Sequence, residues 1–325
     1  MRVRAPSLRS CCCMLAAASL VAVATSLEAA PPEASDPVVV AVGDLACQSP
    51  SQGTGQGACR SGEVADLVRA LDPDAFLVLG DAQYSNGKLS EYLRVWDPQF
   101  GDLLEVTQPS PGNHDYGTPD AAGYFEYFGA AANPPLGYYS FDLGRWHVVS
   151  LNSPICGDDA GCGPGSPQYD WLAADLAGSR ARCTIAFMHE LRYDWRPWQK
   201  WVEDDGATPN AGSETAAFVP LWELMAERGV DVVLGGHNHL YQRWVPQDAH
   251  GNAVDGGAVQ FTVGTGGRSL YPFGIPPMPG NLAAIQNKAF GVLKLVLHRD
   301  SYDYEWVGIP GDPAFEDSGT AVPCH

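Results

Sequence analysis

The chain has 325 residues, of which 45% are apolar and 18% are charged, so it can bury a large core and does not have the composition of a disordered protein. Its 38 acidic and 19 basic residues give a formal net charge of −19. No basic block is present, which argues against DNA or RNA as a main partner.

The first 30 residues have the pattern of a secretory signal peptide. Arginines precede an uncharged run at residues 11–27, and small residues follow around Ala29-Ala30. An uncleaved membrane anchor is the alternative, but this run is short and only mildly apolar for a span of about 20 residues. A lipoprotein cysteine fits poorly because Cys11 comes before the apolar run. We therefore expect an exported protein, extracellular or in the periplasm or cell envelope, with no membrane span after cleavage.

From residue 37 onward, short apolar runs alternate with amphipathic stretches. Strands are predicted at residues 38–42 and 75–79 and helices at residues 63–71 and 89–96, an alternation typical of βαβ units. Further along, the sequence predicts helices at residues 121–128, 168–176 and 215–227 and strands at residues 138–151, 183–188, 230–234, 258–263, 290–297 and 302–307.

Strands outnumber helices in the second half, so the predicted fold class is α/β, with two stacked mixed β-sheets flanked by helices. We expect one domain at residues 37–310 and a C-terminal tail at residues 311–325, tied by Cys324. Residues 193–213 and 271–286 are predicted to be long loops, which in compact domains often shape a binding cleft.

Removal of the signal region leaves an even number of cysteines, as an oxidising compartment favours. They are Cys47, Cys59, Cys156, Cys162, Cys183 and Cys324. Proximity along the chain favours Cys47 with Cys59 and Cys156 with Cys162, which leaves Cys183 to pair with Cys324. Structural zinc bound by thiolates is a weak alternative, because none of these cysteines lies in a CxxC pair with zinc-finger spacing.

Potential metal ligands follow five of the predicted strands. The fragments are Gly43-Asp44, Gly80-Asp81 with Tyr84, Gly112-Asn113-His114-Asp115, His189 and Gly236-His237-Asn238-His239. Each fragment alone is usually a turn or a hydrogen-bonded side chain, but five in this order are rarely a chance arrangement. Ligands of α/β sheets collect beyond the carboxyl ends of strands, so we expect these side chains to converge.

Together these motifs resemble the calcineurin-like metallophosphoesterases, and the spacing of Tyr84 resembles their purple acid phosphatase branch. The broader family commonly has a histidine two residues after the first aspartate, where this sequence has Ala46. The run from His239 to Arg243 and the glycine-rich run at residues 261–267 extend the resemblance. The resemblance implies the four-layer α/β/β/α fold in a compact single-domain version without the N-terminal β domain of the large plant-type members.

Carried over position by position, the resemblance implies two metal ions that share Asp81. One ion is held by Asp44, Asp81, Tyr84 and His239, and the other by Asp81, Asn113, His189 and His237. Two carboxylates and a phenolate suit a trivalent ion, whereas neutral amide and imidazole donors suit a divalent one. We therefore predict Fe(III) beside Tyr84 and divalent Fe, Zn or Mn at the second position.

The implied reaction is hydrolysis of a small phosphorylated substrate. Two cations neutralise the anionic ester and lower the pKa of a bound water to about 7, so that metal-bound hydroxide attacks phosphorus. His114, beside the ligand Asn113, is the candidate that assists the leaving group. Asp115 is predicted to orient His114 through a hydrogen bond.

The substrate-binding residues are less clearly marked. Glu190 stands where relatives often carry a second histidine, so Arg192 and Arg268 are the candidate phosphate contacts. Neighbouring side chains either line the cleft or pack the loop; these are Tyr193, Asp194, Trp195, Trp198 and Trp201. Four histidines without a motif are interpreted as structural or surface residues; these are His147, His250, His298 and His325.

The first functional hypothesis is a phosphomonoesterase of the acid phosphatase type. A phosphodiesterase acting on nucleotides or lipid head groups is the second, because the same metal centre supports both reactions. A non-catalytic secreted protein that binds metal or phosphate is the third, although all ligand positions and His114 are filled. A serine hydrolase is set aside because no Gly-x-Ser-x-Gly elbow is present where a strand meets a helix.

Overall fold

The computed structural model describes Met1 and residues 36–48, 58–157, 161–195, 218–272, 278 and 280–325. The predicted signal region, beyond Met1, and both Trp198 and Trp201 lie outside these described residues. Residues Asp36–His325 form one compact unit. Within the described part of the chain, no helix combines the length and the apolar character that crossing a membrane requires.

The elements are numbered in chain order. The strands are β1 (Val38–Val42), β2 (Ala75–Leu79), β3 (Thr107–Ser110), β4 (Tyr139–Leu143), β5 (Trp146–Ser150), β6 (Cys183–Phe187), β7 (Val232–Gly235), β8 (Tyr241–Trp244), β9 (Val259–Val263), β10 (Leu282–Gln286), β11 (Gly291–Leu297), β12 (Ser301–Gly308) and β13 (Ser318–Pro323). The helices are α1 (Ser61–Leu71), α2 (Leu89–Glu91), α3 (Asp97–Phe100), α4 (Ala122–Phe128), α5 (Pro167–Gly178) and α6 (Val219–Glu227), and a π-helical segment, Tyr92–Trp96, joins α2 to α3.

These strands form two mixed sheets. The first has six strands in the order β13-β12-β11-β1-β2-β3, and the second has seven in the order β10-β8-β9-β7-β6-β5-β4. Parallel strands stand together in each sheet, β1-β2-β3 in the first and β5-β6-β7-β9 in the second, and antiparallel strands flank them. The predicted α/β fold with two mixed sheets and flanking helices is confirmed.

Alternating side chains in the second sheet show how the layers stack. Ile185 and Val232 belong to a buried cluster that also contains the side chains of the first sheet. Their successors Ala186 and Val233 point to the opposite face and belong to a second cluster, which contains Trp222 of α6. Successive strand residues face opposite sides, so both faces of this sheet are buried and its central strands are almost wholly apolar.

The structure corrects several element predictions. Residues 138–151 are not one strand but the hairpin of β4 and β5, because Gly144, with a φ of 62°, turns the chain. β10 lies within the predicted loop at residues 271–286, and β13 lies within the predicted tail at residues 311–325. For the helix predicted at residues 215–227, the structure has a helix that begins at Val219, and residues 215–217 lie outside the described chain.

Among the described residues, three disulfides cross-link the fold in the pairing that proximity along the chain predicts. They join Cys47 to Cys59, Cys156 to Cys162 and Cys183 to Cys324. The last pair is 141 residues apart in sequence and connects the first residue of β6 to the chain just after β13.

Candidate metal centre

The candidate ligands lie at or just beyond the carboxyl ends of strands. Asp44 follows β1, Asp81 follows β2, His189 follows β6 and His237 follows β7. Three of them adopt left-handed backbone conformations, with φ of 60° at Asp44, 46° at Asp81 and 67° at His237. Such conformations cost energy in residues other than glycine and cluster at functional sites, where the surrounding structure enforces them.

One group of donors surrounds the carboxylate of Asp44. The hydroxyl of Tyr84 donates to Asp44 Oδ1 over 2.7 Å and lies 3.0 Å from His239 Nε2. His239 Nε2 is also 3.3 Å from Asp44 Oδ1. The other ring nitrogen of His239, Nδ1, lies 2.7 Å from the carbonyl oxygen of Ser269, which can only accept a hydrogen bond. The proton therefore stands on Nδ1, and the Nε2 lone pair faces the group.

A second group surrounds the side-chain oxygen of Asn113. His189 Nε2 and His237 Nδ1 are each 3.1 Å from Asn113 Oδ1, and these two nitrogens are 3.3 Å apart. His189 Nδ1 lies 2.9 Å from the carbonyl oxygen of Leu79, which fixes its proton there and turns Nε2 toward Asn113.

Asp81 stands between the two groups. Its Oδ2 is 3.3 Å from His189 Nε2, while its Oδ1 accepts a hydrogen bond from the backbone N–H of His114 over 2.7 Å. One ligand atom each of Asp44, Asp81 and His189 lies within 4.8 Å of the others. The structure thus brings all seven predicted ligands together, with Asp81 in the shared position.

The donor atoms are arranged to bind cations, because lone pairs face one another in the space between them. Lone pairs of His189, Asn113 and Asp81 point at one another, which a positive charge at their centre would relieve. Asp44 Oδ2 is buried and has no hydrogen-bond partner among the described residues. Buried polar atoms of this kind are rare, and an ion is a recognised explanation for one. The residues present therefore fit a pair of metal ions.

Two glycines allow the segments of the chain that carry the ligands to lie close to one another. A Cβ at Gly80, where φ is 77°, would lie 2.5 Å from the His189 ring. A Cβ at Gly112 would lie 2.2 Å from the backbone nitrogen of Asp81. Any side chain at these positions would push the ligands apart, which explains the Gly-Asp and Gly-Asn pairs in the motifs.

Burial and neighbouring charges set the protonation of the centre. Burial and the Asp44 carboxylate raise the pKa of Tyr84 far above its usual value, so its hydroxyl stays protonated unless a cation binds it. Without a metal ion, burial opposes the ionisation of Asp81, but a His189 ring that is protonated on Nε2 as well as on Nδ1, together with the backbone hydrogen bond from His114, holds the pKa of Asp81 below its usual value. That additional proton on Nε2 takes the place of a cation among the donors.

His114 borders the centre without taking the position of a ligand. Its side chain is 39% exposed, and its Nε2 is 4.0 Å from Asp81 Oδ2. The predicted hydrogen bond from His114 to Asp115 is wrong. His114 Nδ1 instead lies 2.7 Å from the carbonyl oxygen of Ser85, which therefore orients the ring.

Asp115 holds the backbone around the centre. Its buried carboxylate accepts hydrogen bonds from the backbone N–H groups of Gly112, Ala82 and Gln83 and from the hydroxyl of Tyr92 at 2.6 Å. Burial and the charge of Asp81 raise the pKa of Asp115 to about 6. Asp115 therefore ties the second motif to the third, and its contacts do not include the His114 ring.

The two predicted substrate arginines differ in their surroundings. The Arg268 guanidinium carbon is 5.1 Å from the centroid of the Tyr84 ring, and the Arg268 backbone N–H donates to the carbonyl of Asp44, which places this arginine at the centre. Arg192 lies over the ring of Tyr193 at 5.3 Å. Tyr193 and Trp195 are buried in the outer cluster of the second sheet, so loop packing is the correct interpretation for both.

Two further residues lie at the centre, and sequence reasoning assigned no role to either. Ligand atoms of Glu190, His189 and His237 lie within 4.8 Å of one another, and the Ser153 hydroxyl contacts the Glu190 carboxylate. The ring of Tyr271 stacks on His239 at 4.6 Å. The adjacency of Glu190 to His189 was a usable signal, whereas Tyr271 sits in a predicted loop with no motif.

Comparison with known proteins identifies the family. The model of the calcineurin-like phosphoesterases matches residues 37–241. The chain therefore belongs to the calcineurin-like phosphoesterase family, as its motifs predict, and the matched range contains all seven candidate ligands.

Several relatives of the chain are purple acid phosphatases. Purple acid phosphatase 21 of Arabidopsis thaliana is 27% identical over 288 residues, which are 80% of this chain and 61% of that protein. Purple acid phosphatase PPD1 from yellow lupin seeds has the same fold, with a TM-score of 0.63 at 19% identity over 88% of this chain and 54% of that one. GAP50, the anchor in the inner membrane complex of Plasmodium, also shares it, with a TM-score of 0.61 at 12% identity over 90% of each chain.

The sequence match to purple acid phosphatase 21 confirms the resemblance to the purple acid phosphatase branch, and the two structural matches show the fold. The chain spans about three-fifths of the length of the Arabidopsis relative. The fold match to an anchor protein shows that this architecture also serves proteins described by roles other than hydrolysis, so activity has to be argued from the site.

Proposed function

We propose that the protein hydrolyses phosphate monoesters at a centre of two metal ions. The observation that carries this proposal is the convergence of seven donors in two groups around the carboxylate of Asp81. A centre with two cations suits phosphate esters, because cations neutralise the ester and provide a nucleophilic oxygen from water near neutral pH.

The two groups of donors differ in charge, which supports different metals in them. Asp44, Tyr84 and His239, with Asp81, form a site with anionic oxygen donors, for which we propose Fe(III). Asn113, His189 and His237, with Asp81, form a site of mainly neutral donors, for which we propose divalent Fe, Zn or Mn.

We propose that His114 assists the leaving group. Its Nδ1–H donates to the Ser85 carbonyl, so Nε2 is the nitrogen available to substrate. A proton on Nε2 passes to the leaving alkoxide as the P–O bond breaks, and a hydrogen bond from Nε2 stabilises the developing charge before transfer. Arg268, held beside Tyr84, is proposed to bind the non-bridging phosphate oxygens through its planar pair of N–H donors.

Export is proposed on the basis of the cysteines. Three disulfides in 290 residues from Asp36 to His325 are typical of an oxidising compartment. We propose a signal peptide at residues 1–30 followed by a single phosphoesterase domain. The pairing of β13 with β12 supports including residues 311–325 in that domain instead of a separate tail.

Activity and its metal dependence test the proposal together. The purified protein is expected to hydrolyse 4-nitrophenyl phosphate, to lose this activity when a chelator removes the metals, and to regain it when Fe and a divalent ion are restored. A protein that binds both metals but hydrolyses no phosphate ester would be a non-catalytic binding protein, and the proposal would be wrong.

Tyr84 gives the iron assignment a spectroscopic test. A phenolate bound to Fe(III) produces a visible charge-transfer band, so the wild-type protein is expected to be coloured and Tyr84→Phe colourless. Tyr271→Phe, which alters a nearby tyrosine outside the ligand set, is the matched control and keeps the band. A colourless, fully active zinc or manganese protein would contradict the Fe(III) assignment and leave the fold untouched.

Glu190 supports a diester substrate as the second candidate. Its carboxylate lies beside His189 and His237, where it repels the dianion of a monoester more strongly than the monoanion of a diester. The ratio of kcat/KM for 4-nitrophenyl phosphate and bis(4-nitrophenyl) phosphate separates the two. A strong preference for the diester would reverse our order of the candidates.

A further inference from the structure

A cleft lined by arginines lies away from the metal centre. Its volume is about 930 Å³, within the size range of small-molecule sites, which is about 300–1,000 Å³. The positively charged side chains of this arginine cleft are Arg145, Arg180, Arg182 and Arg299. All four are exposed, and none forms an ion pair with another described residue.

The arginine cleft lies at the amino ends of β5 and β6, whereas the candidate ligands lie beyond the carboxyl ends of the strands. Arg145 and Arg182 directly precede β5 and β6, whereas His189 follows the carboxyl end of β6. The length of β6 and its flanking residues separates the two regions by about 20 Å. A ligand in the arginine cleft therefore does not contact the metal centre.

Core contacts position the arginines. The indole N–H of Trp146, next to Arg145, donates to the carbonyl of His298, next to Arg299. Cys183, next to Arg182, has its Sγ 3.9 Å from the carbonyl oxygen of Arg299 and is bonded to Cys324. The turn between β4 and β5, the start of β6 and the turn between β11 and β12 are thereby held together.

The charges within the arginine cleft do not cancel. Asp142 and Asp175 also line it, but His147 lies between them, 2.9 Å and 2.8 Å from their oxygens. Hydrogen bonds to Asp175 and Asp142 raise the pKa of His147, so its charge offsets part of theirs. Asp300 is the remaining carboxylate among the described residues of the lining, which includes four arginines. In a chain with a net charge of −19, this concentration of arginine is unusual.

We propose that the arginine cleft binds a compact polyanion, a small molecule that carries several phosphate or sulfate groups. Guanidinium groups form paired, charge-assisted hydrogen bonds with such oxyanions. One phosphate ion is too small to contact four arginines that line a volume of about 930 Å³, and a concave cleft suits a compact molecule better than a flat anionic bilayer. This site is separate from the proposed active site, and the proposal does not depend on the enzyme activity.

Sucrose octasulfate is a suitable probe, because it carries eight sulfate groups and no phosphate ester that a phosphoesterase could hydrolyse. Isothermal titration calorimetry of the full chain with its metals is expected to give one bound molecule. Arg182→Gln/Arg299→Gln is expected to weaken binding about tenfold or more. The same charge loss elsewhere, in Arg94→Gln/Arg228→Gln, is expected to change Kd less than twofold. All four substituted side chains are exposed, so the variants should keep the fold.

Two results would overturn the proposal. One is a wild-type protein that does not bind the probe at about 50 mM salt, where charge interactions are screened only modestly. The other is equal affinity of the two double variants, because binding would then arise from the metal centre or from charge in general. The proposal would be supported if Arg182→Gln/Arg299→Gln lost binding of the probe while Arg94→Gln/Arg228→Gln kept it, and if both double variants hydrolysed 4-nitrophenyl phosphate as the wild type does.

Discussion

His114 has one ring nitrogen fixed and the other available. The Ser85 carbonyl holds Nδ1, and the ring lies 4.4 Å from that of Tyr84, which limits its rotation. This arrangement matters because an acid that protonates a leaving group has to present the same nitrogen at each turnover.

Substitution of His114 should affect poor leaving groups most. His114→Ala is expected to lower kcat for an alkyl phosphate by about 10²–10⁴-fold, with less effect on 4-nitrophenyl phosphate, whose leaving group needs little protonation. Metal content should not change, because His114 is not in the ligand set. The exposed His250 provides the control variant His250→Ala. Equal losses with both substrates would contradict the role as an acid.

Residue types were more predictable than residue partners. The identities of Asp44, Asp81 and His239 indicated a metal centre, because metals demand particular donors at strand ends. The partner of His114 was not predictable, because a backbone carbonyl 29 residues away carries no signature in the sequence. Asp115 was misassigned for the same reason: its partners are mostly backbone N–H groups.

At the scale of elements, His147 joins the hairpin of β4 and β5 to α5. Its ring bridges Asp142 of β4 and Asp175 of α5, and its side chain is 9% exposed. A neutral imidazole has one N–H and can donate to only one of these carboxylates, whereas the protonated form donates to both.

Stability should therefore depend on pH through His147. Its pKa is raised on folding, mainly by the hydrogen bond to Asp175, so the stabilisation is complete below the unfolded value of 6.5 and is lost as pH rises through the higher folded pKa. His147→Gln is expected to cost about 1.5–3 kcal/mol at pH 5 and clearly less at pH 9, measured by urea unfolding. An equal cost at both pH values would contradict this account.

Elements with a strong apolar pattern were predicted within a few residues, and weak ones were not. β1 and β2 show continuous apolar runs, and in the buried strands β6 and β9 only Thr184, Gln260 and Thr262 interrupt the apolar residues. β3 and β8 have four residues each with polar side chains among them, so no periodicity could develop. β13 is an exposed edge strand. Its pairing with β12 makes it a strand, and its amino-acid composition does not indicate one.

At the scale of the whole molecule, the Cys183–Cys324 disulfide closes the longest of the three loops. In the chain-entropy model, a loop of this length restricts the unfolded state by about 5 kcal/mol, against about 2 kcal/mol for the loop between Cys156 and Cys162. Cys183→Ser/Cys324→Ser should therefore lower the free energy of unfolding more than Cys156→Ser/Cys162→Ser, measured by urea unfolding. The reverse order would show that local contacts outweigh chain entropy here.

The overall architecture followed from the sequence, but the assembly of the centre did not. Alternating elements indicated two mixed sheets, and the family resemblance indicated which strand ends meet. Gly80 and Gly112, which let Asp81 and His189 approach, are meaningful only once the backbones are seen in contact. The arginine cleft was also hidden, because its four arginines are spread over more than 150 residues.

The metal content of matched variants tests the central claim most directly. Elemental analysis of the purified protein should give two metal ions per chain. Asp44→Asn alters only the group of donors around Asp44, so this variant should retain about one metal ion per chain. Asp81→Asn should retain fewer than one metal ion per chain, because both ions lose their shared ligand. A wild-type chain with a single ion, or Asp81→Asn with both ions still bound, would contradict the account.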